Sequence, residues 1–483
     1  MRKLSFFMGV VIFSFFIFAE TDNDGKNDND EGSHVEIQQE DELSDMIGEL
    51  SAQVEELRKT SEEREKKLAE SIKKLEALKT ELDEMKAARS EDLERKKVEE
   101  EEKEAVEVKT EENKVSFVPY GFVELYGYAN DAQFLSNDLM VYVADKNRSA
   151  VGMSARKTSL GVDISVPYVT FVDLSAKVEI DFFGSLPDTG NSETSTGLRM
   201  RHAFFKISKA FKTDTTLSLI AGQTWTTAAI PIFPNVINPA GGWGSGNIWN
   251  RLPLAELEIA QKAGNFDFGL KTALVKPISG MSANRRNFIE INIDSGSASH
   301  WPSFQGQLYF IFKIPAIEVF WAAGGAYGRE DYTSGVKINN EDELLYGNEV
   351  EVWMFNTALK VVHKYAEIQG KYFMGENLDM FGFFGGSLIK ENGIVIESMK
   401  AKGFWTELSL KPLRDLKISL GLGSEYTNHE QSVYDQNDSF WLSVFYTLFG
   451  HVTPGFQWQQ TVTEKDGNKQ TGNSFMGSLK FSF

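Results

Sequence analysis

The chain has 483 residues, a formal net charge of −20, 12% aromatic residues and no cysteine, which excludes a disulfide framework, a lipidated cysteine anchor and a thiolate metal site. The acidity is concentrated in one segment: residues 20–114 hold 33 acidic and 17 basic side chains, whereas residues 115–483 hold 37 and 31. Nothing in that balance supports nucleic-acid binding.

At the N-terminus, Arg2 and Lys3 precede an apolar run from Phe6 to Phe18, and Ala19 offers a small residue for cleavage. This predicts a signal peptide over 1–19, since the run falls short of the ~20 apolar residues a spanning helix needs. Residues 20–41 are too poor in apolar groups to fold alone and predict a flexible acidic leader. From Leu43 to Met85, positions spaced alternately by four and three are apolar at ten of thirteen places, on a background of Glu and Lys. That heptad predicts a self-associating coiled coil over 42–89, roughly 65 Å long at the helical rise, followed by a charged linker over 90–114.

From residue 115 the period changes to two, with Gly, Asn and Asp clusters between segments. Sixteen strands are predicted: 117–130, 154–166, 170–182, 198–208, 214–224, 252–262, 265–275, 303–314, 316–328, 349–362, 364–375, 398–411, 414–427, 438–448, 451–463 and 472–483. Short joins alternate with connections that are mostly long and polar, as they must when every other connection lies on the same side of a membrane. The last strand alternates through Phe475, Leu479 and Phe481 to Phe483, the pattern of a closing strand that faces lipid. No other stretch is apolar enough to cross as a helix. The predicted fold class is therefore an all-β transmembrane barrel of sixteen antiparallel strands over 115–483, with an N-terminal α-helical coiled coil. An even strand number puts both barrel ends on the short-turn side and the coiled coil in the periplasm.

Val178, Ile180 and Phe182 alternate with Glu179 and Asp181, and across the next hairpin Leu198, Met200 and Phe204 alternate with Arg199 and Arg201, with His202 on the apolar side. Charged groups on an inner face need water or partners. Two readings stand: an acidic pair facing a basic pair across the lumen, which would set up a transverse field, or ordinary ion pairs stiffening the wall. Lys157, Ser159, Asp163 and Ser165 make another polar inner face, and Arg156 joins it only if a bulge intervenes. Connection 225–251, with Ile230, Phe233, Trp243 and Trp249, is too apolar to hang in water. It either folds into the barrel and narrows the pore or packs at a subunit interface. Its Gly-Gly-Trp-Gly-Ser-Gly run, 241–246, is not a phosphate loop, because neither Lys-Ser nor Lys-Thr follows.

The six histidines (His34, His202, His300, His363, His429 and His451) are scattered, and none adjoins a nucleophile motif or forms a metal cluster. No enzyme activity, catalytic residue, cofactor or metal is expected.

The runs Ser154 to Gly161, Glu179 to Gly184, Leu198 to Ala203 and Ala221 to Trp225, continued by Pro239-Ala240-Gly241 and Arg251-Leu252-Pro253, resemble the DcaP-like trimeric porins. The resemblance covers residues 117–260. It implies a homotrimer in the outer membrane, with a signal peptide, a periplasmic coiled coil and a sixteen-stranded barrel. It also implies diffusion of small, often anionic solutes such as dicarboxylates past Arg156, Arg199, Arg201 and Arg251. Glu179 and Asp181 depart from an anion-selective pattern and leave the sign of selectivity open. The phosphate-selective porins are a second resemblance, without their concentrated lysine ladder, and a phosphate- or sugar-selective porin is an alternative reading. A structural protein that tethers the membrane to the cell wall through its coiled coil is the reading from another class. The expected partners are outer-membrane lipid, other copies of the chain, and the barrel assembly machinery acting on the strand that ends at Phe483.

Overall fold

The computed structural model describes residues 115–169, 171–184, 197–277, 295–337, 344–427 and 429–483. The expected signal peptide, leader, coiled coil and linker lie outside the described residues.

Sixteen strands form one closed antiparallel barrel. They are β1 (Ser116–Asn130), β2 (Ala150–Ser154 and Ser159–Val169, one interrupted strand), β3 (Val172–Asp181), β4 (Arg199–Ala210), β5 (Thr215–Trp225), β6 (Arg251–Ala263), β7 (Phe266–Val275) and β8 (Ser303–Ile314). The second half comprises β9 (Ile317–Asp331), β10 (Glu349–His363), β11 (Ala366–Glu376), β12 (Lys400–Leu413), β13 (Leu416–Thr427), β14 (Gln436–Tyr446), β15 (Val452–Lys465) and β16 (Asn468–Ser482). Closure comes from β1 against β16, in register from Phe122↔Ser482 to Asn130↔Ser474. Gly121 and Phe483 extend that ladder by exchanging backbone hydrogen bonds of 3.2 and 3.1 Å.

The pattern of burial is inverted relative to a water-soluble barrel. Leu125 is 51% exposed while its neighbour Glu124 is 4% exposed, and Leu408 and Leu410 face out while Glu407 and Ser409 are buried. Period-two alternation puts every second side chain inside, so apolar residues outside and polar ones inside leave only lipid as the outer solvent.

Three departures from the predicted strands have local causes. Strand β2 breaks at residues 155–158, where Thr158 N–H bonds Ala155 O at 3.0 Å and Phe182 N–H bonds Arg156 O at 3.2 Å. This irregularity turns Arg156 inward. In β4 the register against β3 slips, Glu179 pairing with His202 and Ile180 with Met200, so Arg201 is the extra residue of a bulge. His202 therefore points inward, not to the apolar outer face; Phe204 leaves that face with it, and the half-exposed Phe205 takes its place. Finally, the connection expected around 464–471 is the two-residue turn Asp466-Gly467, both at positive φ, which suits the primed turn of a tight hairpin.

Candidate functional site, a constricted basic passage

Several connections fold into the barrel interior. The segment 226–250 between β5 and β6 folds inside and bonds the inner face of the far wall. Ala228 N–H donates to Gln305 on β8 (3.0 Å), Asn235 N–H to Glu407 on β12 (2.9 Å), Gly246 N–H to Glu425 on β13 (3.0 Å) and Asn238 Nδ2 to Gln459 on β15 (3.1 Å). Of the two placements open from sequence, folding into the lumen is the one observed. The glycines serve this path: Gly241, Gly242, Gly244 and Gly246 all have positive φ, and a Cβ on Gly244 would stand 2.3 Å from Val141 O.

One ammonium holds both ends of the segment. Lys371 on β11 is buried and donates to Ala229 O at 2.6 Å and Ile248 O at 3.1 Å, with no carboxylate within 4.0 Å among the described residues. Lys371→Met would leave two buried carbonyls without donors, each costing about 1–3 kcal/mol, against a partial gain from no longer burying the charge. We expect a net loss of about 2 kcal/mol, read as a lower urea midpoint of the refolded barrel together with faster proteolysis within 226–250.

Two further connections enter the lumen that sequence reasoning left outside. The hairpin Gln133–Ser136 with Leu139–Asp145 packs Phe134, Met140 and Val143 against Tyr126, Tyr128 and Met476 of the wall. Around Asp379–Phe381, Met380, Phe381 and Phe383 join an inner apolar cluster, and Asn250 Nδ2 donates to Met380 O at 2.6 Å. The apolar run Leu139 to Val143 was a usable signal, by the criterion that identified 225–251 as too apolar for water.

An open cavity lies beside β2 to β6. Its volume is about 550 Å³, and it is lined by Lys157, Arg199, Arg201, Arg251 and Lys276 and by an aromatic bed that includes Phe183, Trp225, Phe233, Trp243 and Trp249. No carboxylate is among its lining residues. The bed is tightly built: Trp243 stacks on Trp249 with centroids 4.1 Å apart, and Trp225 lies 4.9 Å from Phe233 and 5.4 Å from Trp249. Rings packed this way present rigid faces on which guanidinium groups rest.

The six residues singled out from sequence form two arrangements. Arg199 is bonded to Asp181 at 2.6 Å; Arg201 donates to Glu179 and, at 2.8 Å, to Asp181. These four share one wall and touch directly, so the reading of opposed pairs across the lumen is corrected: the strands are neighbours, and the bulge at Arg201 brings both guanidiniums onto the two carboxylates. The Asp181 side chain is fully buried whereas Arg199 and Arg201 are 33% and 22% exposed, so the carboxylates stand behind and the cations in front. Arg156 is fully buried, bidentate to Asp138 of the inward hairpin at 2.6 and 2.7 Å, with its guanidinium 4.5 Å from the Phe183 ring. It fastens the hairpin and is absent from the cavity lining. Arg251 rests 3.9 Å above Trp225 and 5.3 Å from Trp249, without a carboxylate within 4.0 Å among the described residues. Asp138 and Lys276 complete the site and had not been singled out from sequence, whereas Lys157 had been placed on an inner face and Phe233, Trp243 and Trp249 in the connection given an inward course as one of two placements.

No family profile and no curated protein matches the chain. Among solved structures it is similar to the outer membrane channel DcaP of Acinetobacter baumannii, at 15% identity and a TM-score of 0.58, over 76% of this chain and 97% of that one. Looser similarity links it to an anion-selective porin from Comamonas acidovorans (10% identity, TM-score 0.48, 77% and 100% covered). OmpT, an outer membrane protein of Vibrio cholerae, is likewise similar (14%, 0.46, 78% and 99%). The fold is thus the porin-type outer-membrane barrel seen in the DcaP channel.

Proposed function

We propose that the chain is an outer-membrane porin whose constricted, water-filled passage admits small hydrophilic solutes, with organic anions such as dicarboxylates as the favoured class. The observation that carries this reading is the cavity beside β2 to β6, with five cations and no carboxylate in its lining, inside a barrel whose outer face is apolar. Because Asp181 and Glu179 stand behind Arg199 and Arg201, a solute meets guanidinium first, which favours anions although the barrel as a whole is slightly acidic. The aromatic bed adds an apolar surface for the carbon skeleton of an organic anion.

The chain works as a homotrimer in the outer membrane, exported by the signal peptide over 1–19. Its coiled coil, 42–89, stands in the periplasm and strengthens the oligomer, where it is also placed to contact the cell wall. The strand ending at Phe483 is the element read by the barrel assembly machinery.

The purified protein in a planar bilayer is expected to give stepwise conductance, an anion-biased reversal potential, and current reduction by added dicarboxylate. A correctly folded barrel that stays silent would remove the channel reading and leave the tether. Deleting residues 20–114 is expected to keep the barrel insertable while its oligomer dissociates at lower temperature on gels; failure to insert would refute this division of the chain.

A further inference from the structure

A second cavity, of about 420 Å³, lies on the short-turn side of the inward segment. Its lining carries Lys157, Lys411, Arg414, Lys417 and Lys480 against only Glu124 and Asp415. The register places the central members inside the barrel: Lys480 pairs with Glu124 across β1 and β16 and with Thr453 across β15 and β16, and Glu124 is buried. Glu124 is already taken by Lys157, 3.2 Å away, and Lys411 is engaged by Glu367 at 3.4 Å. Lys417 is oriented by Asn235 Oδ1 of the inward segment at 2.9 Å. Among the described residues, Arg414, Lys417 and Lys480 have no carboxylate within 4.0 Å.

The two cavities are continuous in their walls. Lys157, Pro234 and Val236 line both, so the Lys157 ammonium stands at the boundary between the aromatic chamber and the second cavity. The chemistry of the two differs. The first presents three guanidiniums and two ammoniums beside an aromatic bed; the second presents four ammoniums and one guanidinium with the hydroxyls of Thr447, Thr453 and Ser478 and a single ring, Phe445. Ammonium groups are compact, strongly hydrated point charges that suit oxygen-rich anions without asking for an apolar skeleton.

We infer that this turn-side vestibule is a second anion-binding subsite, selective for small multivalent oxyanions, which receives solutes from the aromatic chamber through Lys157. The inference rests on the channel reading above and deepens it. Two sites in series, each weak, let an anion enter without being trapped, because occupation of one site repels an anion from the other.

Citrate added to one chamber at a time of a planar bilayer holding oriented channels tests it. In the unmodified protein, citrate on the turn side blocks the current. In the triple variant Arg414→Gln, Lys417→Gln, Lys480→Gln, the half-blocking citrate concentration from the turn side is expected to rise about tenfold, while block from the loop side persists. Should the triple variant not insert, Lys480→Gln alone gives a smaller rise on the same side only. Turn-side block that is unchanged by the substitutions, or weakened equally from both sides, overturns the subsite. Absence of any conductance in the unmodified protein overturns instead the channel reading beneath it.

Discussion

Replacing Gly246 by valine is expected to push the inward segment off the far wall and toward the passage beside β2 to β6, lowering single-channel conductance and changing ion selectivity. Contact there is backbone on backbone. A Cβ on Gly246 would stand 1.9 Å from Phe404 O, and one on Gly423 of β13 would stand 1.8 Å from Ser245 O, so both overlaps are with backbone oxygens that no side-chain rotation can move. Gly246 also sits at φ +84°, where a β-branched residue is strained by roughly 1–3 kcal/mol. Moving the segment to relieve the overlap breaks Gly246 N–H to Glu425 and the bond from Asn437 Nδ2 to Gly244 O, about 1 kcal/mol each. Gly264→Ala is the matched control: its φ is +64°, yet nothing lies within 4 Å of its Cβ position, and conductance should stay unchanged. A Gly246→Val channel with wild-type conductance and selectivity would mean that the segment does not set the width of the passage.

The sixteen strands were legible because lipid imposes the strongest pattern a strand can carry, with one face apolar and the other polar along its whole length. All sixteen predicted segments overlap observed strands, and Leu408-Ser409-Leu410 shows the alternation at its cleanest. Legibility ended where the backbone departs from strict period two. At Arg201 a single extra residue moves His202 and Phe204 from the expected outer face to the inner one, and nothing in the local composition announces that slip. The inward course of 225–251 was one of two placements that its apolar content required. The hairpin at 133–145 carries the same content in Leu139 to Val143, but read as an ordinary polar loop it kept Asp138 hidden as the partner of Arg156. Which arginine is free and which is neutralised depends on contacts between residues such as Arg156 and Asp138, joined by a folded-in connection, and periodicity carries no information about such contacts.

Arg251→Glu is expected to move the reversal potential toward cations by more than the same change at any other of the four arginines. Arg156, Arg199 and Arg201 stand against Asp138, Asp181 and Glu179, so each of their charges has a compensating carboxylate within hydrogen-bonding distance. Arg251 has an indole face instead, which offers attraction without opposite charge. At 4 Å in water, two unit charges interact by about 1 kcal/mol, so exchanging attraction for repulsion changes the energy of a monovalent anion in contact by about 2 kcal/mol, roughly 30-fold in occupancy. Arg251→Gln should give about half that energy change. The contrasting variant is Arg156→Gln. It leaves Asp138 charged and buried without its partner, a loss of about 3–5 kcal/mol that appears as a lower urea midpoint of the barrel. Since Arg156 is absent from the cavity lining, channels that still insert should keep their reversal potential. Reversal potentials of the two variants under a tenfold salt gradient decide the matter, and a larger shift from Arg156→Gln than from Arg251→Glu would place the selective charge on the hairpin side of the passage instead.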